Sequence, residues 1–220
     1  MEKNIIEENN QQMLKAGVIE RSTSPWNSPV MCVPKKDKTW RRVIDYSEIN
    51  KITVKEQWPI TRSDEAYDAL SKAKYMTVVD CTSGYWQIPL ADGSKKYTAY
   101  TIASGRYHYT SLPMGITNAA PTFQKNMEIM LTGLLWQCCI VYIDDIIVYS
   151  DSFEEHKKHL RKVLKRLKAA NIVLKPSKCD IARKEVEYLG HIVSNGQLKT
   201  IKHNVDKVLN CNIPETLTEV

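Results

Sequence analysis

An α+β fold built on a ferredoxin-like, split βαβ sheet is what this 220-residue sequence predicts. Three observations lead there. Two short apolar runs, CCIVYI and IIVYS, are separated only by Asp144 and Asp145, the pattern of a tight hairpin of buried strands. A strongly amphipathic stretch follows, Ser152 to Ala170, with Phe153, Leu160, Val163, Leu164 and Leu167 on one face. Read from residue 75, with 97–112 set aside as an inserted hairpin, the order is strand, helix, strand, strand, helix, strand.

The elements follow in order. Ile5, Ile6, Met13 and Leu14 fall at helical spacing, and Gly17 stops that helix. Val30–Pro34 and Trp40–Tyr46 read as two strands joined by the charged tip KKDKT. Ser63 to Ala73 reads as a helix with Ser63 as N-cap and Asp64 and Glu65 in its first turn. Tyr75–Asp80 is a buried strand ending in an acid, and Tyr97–Ile102 and Tyr107–Leu112 flank a second hairpin tip. Asn118 to Leu135 reads as a helix that tolerates Pro121 in its first turn. Glu154 and Glu155 open the 152–170 helix and lysines follow, which suits the helix dipole. Ile172–Leu174 gives a further strand, and Glu185–Ser194 and Leu198–Ile201 flank the turn Asn195-Gly196.

Composition narrows the classes. Hydrophobic residues at 43% and charged residues at 25% are globular usage, which excludes a wholly disordered chain. No apolar stretch approaches the roughly 18 residues a membrane span needs, and the polar start MEKNIIEENNQQM is not a secretory signal. The six cysteines show no Cys-x-x-Cys and no zinc spacing, so they read as reduced, mostly buried thiols, with Cys138 and Cys139 on opposite faces of a strand. His156 and His159 read as helix-surface residues. The net charge is +6, but residues 151–210 hold 14 Lys/Arg against 7 Asp/Glu. That basic third suits a polyanion partner or, equally, a solvated helix face.

The carboxylates carry the chemistry. A turn explains one aspartate but explains two less well, because adjacent like charges raise each other's pKa. A divalent cation would relieve the repulsion. Asp80 ends an apolar strand that can lie beside the 138–149 hairpin, which would bring it to the same sheet edge as Asp144. Magnesium takes one or two carboxylates and fills its octahedron with water and phosphate. Two such ions can activate an attacking oxygen and stabilise a leaving one. From the residues alone this is metal-assisted phosphoryl transfer, either polymerase or nuclease.

Five ordered blocks carry a resemblance: SPWNSPVMCVPKKDKTWRRVIDYSEINKITV, VVDCTSGYWQIPL, LPMGITNAAPTFQ, CIVYIDDIIVYS and SKCDIARKEVEYLGHIVSNG. Together they resemble the reverse transcriptase of gypsy-type long-terminal-repeat retrotransposons and related retroviral elements, over nearly the whole chain. The resemblance implies a right-hand polymerase, with fingers at 1–57 and 89–118, palm at 58–88 and 119–200, and the start of a thumb at 201–220. It implies an RNA-directed DNA polymerase that joins deoxynucleoside triphosphates (dNTPs) to a primer 3′ hydroxyl on an RNA or DNA template.

Site residues follow from the same resemblance. Asp80 and Asp144 would hold two Mg2+ ions, or Mn2+ in their place, with Asp145 adjacent and the Cys81 carbonyl as a further ligand. Lys35 and Arg41 would grip the triphosphate, as a guanidinium fork and an ammonium suit a polyanion; the alternative for Lys35 is a solvated hairpin tip. Tyr85 would lie beneath the sugar and exclude a 2′ hydroxyl, or it is a core tyrosine. Met114 and Gly115 match the loop at the incoming nucleotide, although retroviral members often carry Gln where Met114 stands. Tyr142 would sit against the primer terminus. Leu189, Gly190 and His191 resemble the primer grip, with a structural role for His191 equally open.

The resemblance further implies a larger Pol polyprotein with ribonuclease H and integrase, and no membrane partner. The chain carries no address, and the cytoplasm is the expected setting. The alternative is a truncated, catalytically silent relic that keeps the fold and at most binds nucleic acid.

Overall fold

A computed structural model describes residues 2–34, 40–194 and 196–201. The elements run α1 (Glu2–Lys15), β1 (Ile19–Arg21), β2 (Val30–Pro34), β3 (Trp40–Ile44), α2 (Ser47–Ile52), α3 (Ser63–Leu70) and β4 (Tyr75–Asp80). Then come α4 (Asp92–Lys95), β5 (Tyr100–Ile102), β6 (Gly105–Tyr109), α5 (Ala119–Met130), β7 (Cys139–Tyr142), β8 (Asp145–Ser150) and α6 (Phe153–Ala169). The described chain closes with β9 (Asp180–Arg183), β10 (Glu185–Tyr188), β11 (His191–Ser194) and β12 (Gln197–Thr200). None of the described helices is long and apolar enough to cross a membrane.

The chain divides into two compact units, Met1–Ile60 with Cys81–Ile129, and Thr61–Asp80 with Met130–Val220. In the first, β1, β6 and β5 form an antiparallel sheet and β2 pairs with β3 in a hairpin. Its core is rich in tyrosine: Tyr46, Tyr100, Tyr107 and Tyr109 pack with Met13, Ile19 and Ile44. Arg42 sits among these rings and, among the described residues, is paired with no carboxylate. Its guanidinium donates to Asn10 Oδ1 (3.2 Å) and Tyr109 Oη (2.9 Å) and lies 4.8 Å from the Tyr100 ring centre. Burial pushes the Tyr100 hydroxyl up to about 12, against the opposing pull of Arg42. The arrangement satisfies the cation through ring faces and neutral oxygens.

In the second unit the sheet order is β7-β8-β4-β9, antiparallel throughout. This is the strand order of the split βαβ fold the sequence predicts. Alternation along β4 sends Met76, Val78 and Asp80 to one face and Thr77 and Val79 to the other. The first face packs Met76, Ile140 and Ile147 against Ala66 and Leu70 of α3 and Val186, Tyr188 and Val193 of a second antiparallel sheet, β10-β11-β12. The opposite face meets α6 through Thr77 and Ser150, both bonded to His156.

Several expectations are corrected. Ser63 is the first helical residue of α3; Arg62 precedes it in an extended conformation without a side-chain cap and pairs with Asp64 at 2.7 Å. Tyr97 lies in a 3-10 turn, so β5 begins only at Tyr100. Helix α5 ends at Met130, because the following backbone breaks into turns with left-handed Gly133 and Trp136. Residues 172–174 form no strand: the Lys175 N–H is given to the Asp80 carbonyl (2.9 Å), and β9 takes the sheet edge instead. The expected strand 185–194 is two strands, folded at Leu189-Gly190. Asn195 lies outside the described residues, as do Lys35 and all but the first residue of the expected thumb.

His156 is not a surface residue. It is 1% exposed, with Nε2 2.7 Å from Thr77 Oγ1. His159 is half-buried against Ser150 Oγ at 2.8 Å. Cys138 sits in the turn before β7, so it and Cys139 do not share the alternation of one strand.

Candidate active site

The acids gather on one sheet edge of the second unit. In the β4–β8 register Asp80 pairs directly with Asp145, so the two side chains leave the same face. Tyr142 also pairs with Asp145, which fixes the connecting turn as Ile143-Asp144. Sequence pattern puts both aspartates in that turn; Asp145 is instead the first residue of β8. Ile143 takes φ +51, and Asp144 is not among the positive-φ residues, so the turn is of the type that favours glycine at its first central position. A β-branched residue there is strained by roughly 1–3 kcal/mol, and the strain sits beside the carboxylates.

Asp144 keeps solvent access at the turn, yet its carboxyl is pushed above the usual range, first by lost hydration and then by the Asp145 and Asp80 charges. Burial likewise raises Asp145, Asp80 raises it further, and Lys178 pulls it back. Lys178 itself lies 3.2 Å from Asp80 Oδ2. It is delivered by the turn Pro176–Lys178, which is tied to the end of β4 through the Lys175 N–H. Sequence pattern does not single out Lys178; its one signal is a lysine two residues after a turn-opening proline.

Three hard oxygen donors that repel one another suit Mg2+, which keeps open positions for water and phosphate. Among the described residues no three or more His, Cys, Asp or Glu side chains are gathered so as to hold a metal ion as they stand. The cation nearest Asp80 is Lys178. The Cys81 thiol is buried.

Other expected residues belong to the same unit. Leu189 (φ +49) and Gly190 (φ +79) form the left-handed two-residue tip joining β10 and β11. The Tyr67 hydroxyl, on α3, donates to the Leu189 carbonyl at 2.9 Å and lies 2.8 Å from His191 Nδ1. A hydroxyl has one proton, so with that proton on Leu189 the His191 Nδ1 is the donor to Tyr67. Tyr67 is a positioning residue that sequence pattern alone does not separate from an ordinary helix residue.

In the first unit, Arg41, Met114 and Gly115 line one pocket of about 500 Å3 together with Trp40, Arg42 and Trp86. Arg41 and Arg42 are adjacent on β3 and alternate across the β2–β3 hairpin, opposite Val33 and Cys32. Gly115 has φ +93, which reserves the position for glycine although a Cβ would find only ordinary contacts. Asn50 holds this loop by donating to the Gly115 carbonyl (2.8 Å) and accepting from the Thr117 N–H (2.8 Å). Tyr85 does not line the pocket; its ring packs 5.2 Å from that of Phe123. Gly84 makes this possible, since a Cβ there would stand 3.0 Å from Phe123.

Known proteins resemble this chain in sequence and in fold. The profile of the reverse transcriptase (RNA-dependent DNA polymerase) family matches residues 33–193. The chain is 38% identical over 220 residues to the retrovirus-related Pol polyprotein from transposon 297 of Drosophila melanogaster, covering 98% of this chain and 21% of that protein. It is 34% identical to the Pol polyprotein from transposon gypsy of the same fly, covering 95% and 21%. Among solved structures, the foamy viral protease-reverse transcriptase in complex with double-stranded DNA superimposes with a TM-score of 0.89 at 31% identity, over 99% of this chain and 38% of that one. The same viral enzyme in complex with an RNA/DNA hybrid gives 0.85 at 30% identity, over 99% and 29%. The chain thus spans about a fifth of the length of these curated relatives, which are larger Pol polyproteins. On profile, identity and fold together, this chain belongs to the reverse transcriptase family, of the kind carried in gypsy-type retrotransposon Pol polyproteins.

Proposed function

We propose that this chain is the fingers and palm of an RNA-directed DNA polymerase that extends a primer with dNTPs on an RNA or DNA template. The observation that carries the reading is the direct pairing of Asp80 with Asp145 beside a strained turn that holds Asp144. In the reaction the primer's 3′ oxygen forms a bond to the α-phosphorus of the incoming nucleotide. The bond from that phosphorus to the bridging oxygen breaks, and pyrophosphate leaves. Asp80 and Asp144 would hold two Mg2+ ions, or Mn2+, with Asp145 and the Cys81 carbonyl adjacent; such ions, when bound, supply Lewis-acid activation of the attacking oxygen and charge stabilisation at the leaving group.

The chain's own side chains do the rest. Arg41, with Lys35, would grip the triphosphate, and the Met114-Gly115 backbone would border the base and sugar. Tyr85, backed by Phe123, would exclude a 2′ hydroxyl. Tyr142 and the Leu189–His191 tip would position the primer end. Ribonuclease H and integrase would belong to the same polyprotein, as the size of the relatives supports.

Primer extension with Mg2+ on RNA and DNA templates is the test. Asp144→Asn is expected to abolish extension, by at least about a thousandfold, while leaving the melting temperature unchanged or raised. Extension that survives this change would overturn the reading. A second reading, a silent module that binds nucleic acid, is favoured by the Lys178–Asp80 ion pair, because that ammonium occupies the carboxylate the chemistry needs. It predicts template binding without extension, insensitive to Asp144→Asn.

A further inference from the structure

Lys178 apart, the basic charge of the C-terminal third takes no part in the site above. Much of it lies on α6, where Lys158, Arg161, Lys162, Lys165, Arg166 and Lys168 are all exposed. Among the described residues none of these six is paired with a carboxylate; Lys157 is, through Glu154 at 2.7 Å. The helix buries His156, Val163 and Leu167. At 100° per residue, Lys158, Arg161, Lys162 and Lys165 fall on the side opposite that stripe. They line up over about 12 Å of helix, at a rise of about 1.5 Å per residue.

This row is remote from the carboxylates by construction. The helix packs on the Thr77 and Ser150 face of the sheet, whereas Asp80 and Asp145 leave the other face. Phosphates held at the carboxylates therefore cannot neutralise it. A membrane surface does not suit it, because the apolar stripe an interfacial helix would insert is already buried in the sheet. A linear array of unpaired cations without an apolar companion fits a phosphodiester backbone, whose condensed counter-ions such an array releases.

We propose that the outer face of α6 is a second, sequence-independent nucleic-acid surface, which holds a stretch of single-stranded RNA away from the carboxylates. This surface does not depend on the polymerase reading, since it needs neither a primer end nor a metal ion.

The test uses the full chain and a fluorescently labelled, unprimed oligouridylate, with anisotropy followed from about 50 to 200 mM KCl. In the quadruple variant K158Q/R161Q/K162Q/K165Q the affinity at low salt is expected to fall at least tenfold. The slope of log K against log salt should become shallower by about 3, four charges at about 0.7 each. The Asp80→Asn/Asp144→Asn variant should bind this RNA as the wild type does, which separates failure of this surface from failure of the catalytic reading. An unchanged slope in the quadruple variant, or no binding by the wild type, would make α6 an ordinary solvated face and overturn the proposal. Binding to phosphatidylserine vesicles that is lost in the same variant, with RNA binding retained, would overturn it in favour of a membrane.

Discussion

At the scale of single residues, charge is the deciding quantity at the carboxylate edge. Three acids share one end of a sheet, and among the described residues Lys178 is ion-paired with one of them, Asp80. An exposed pair of this kind contributes little to stability, about 0–1 kcal/mol. Its consequence is for the proposed metal site, where a divalent ion at Asp80 would compete with the ammonium. In Lys178→Gln, calorimetric titration should therefore show tighter Mn2+ binding than in the wild type, with the melting temperature of the metal-free protein moved by no more than a few degrees. Weaker binding would mean that Lys178 organises the site rather than competing for it. Tyr67 acts differently, by joining the Leu189 carbonyl and His191 Nδ1 through one hydroxyl.

At the scale of elements, two contacts fix how pieces of the second unit dock. The first is His156, which joins α6 to β4 and β8 inside a buried polar chain. Burial lowers its pKa, and neighbouring His159 lowers it further. A histidine with a depressed folded pKa stabilises the fold most above its ordinary value of 6.5 and loses that contribution as pH falls through the folded value. Chemical denaturation at stepped pH should thus show stability falling below about 6.5 in the wild type and a flatter profile in His156→Gln. The second contact is Gly196, in the β11–β12 connection, where a Cβ would stand 2.0 Å from the Ser71 carbonyl oxygen at the end of α3. Its φ of +73 adds a backbone penalty. Gly196→Ala should cost about 2–4 kcal/mol, since neither the carbonyl nor the turn yields cheaply. A thermal melt within a degree of the wild type would contradict that contact.

For the whole molecule, each unit has its own core, one built on tyrosines around Arg42 and one on aliphatic residues between α3 and two sheets. Gly115 belongs to the first, where a Cβ would meet Tyr46 and Ile44, and Gly196 to the second, where it would meet Ser71. The costs of Gly115→Ala and Gly196→Ala should therefore add to within about 0.5 kcal/mol in the double variant, measured by denaturant unfolding. A larger coupling would show that strain in one unit is felt by the other.

The strands flanking the acid pair and the helix at 152–170 were legible in the sequence, the strands as short apolar runs bounded by aspartates and α6 as an apolar face repeating every 3.6 residues, and their order along the chain is that of a split βαβ fold. The meeting of Asp80 with the 144–145 pair at one sheet edge was legible too, since each of these acids stands at the end of an apolar strand. What the sequence could not decide was where groups far apart along the chain meet. Lys178 on Asp80, Tyr67 on His191, Asn50 on the Met114-Gly115 loop and His156 under the sheet are separated by 65 to 124 residues or depend on strands so separated. Hydropathy periodicity is silent about such polar pairs, because their partners are chosen by the packing of whole elements and not by spacing along the chain.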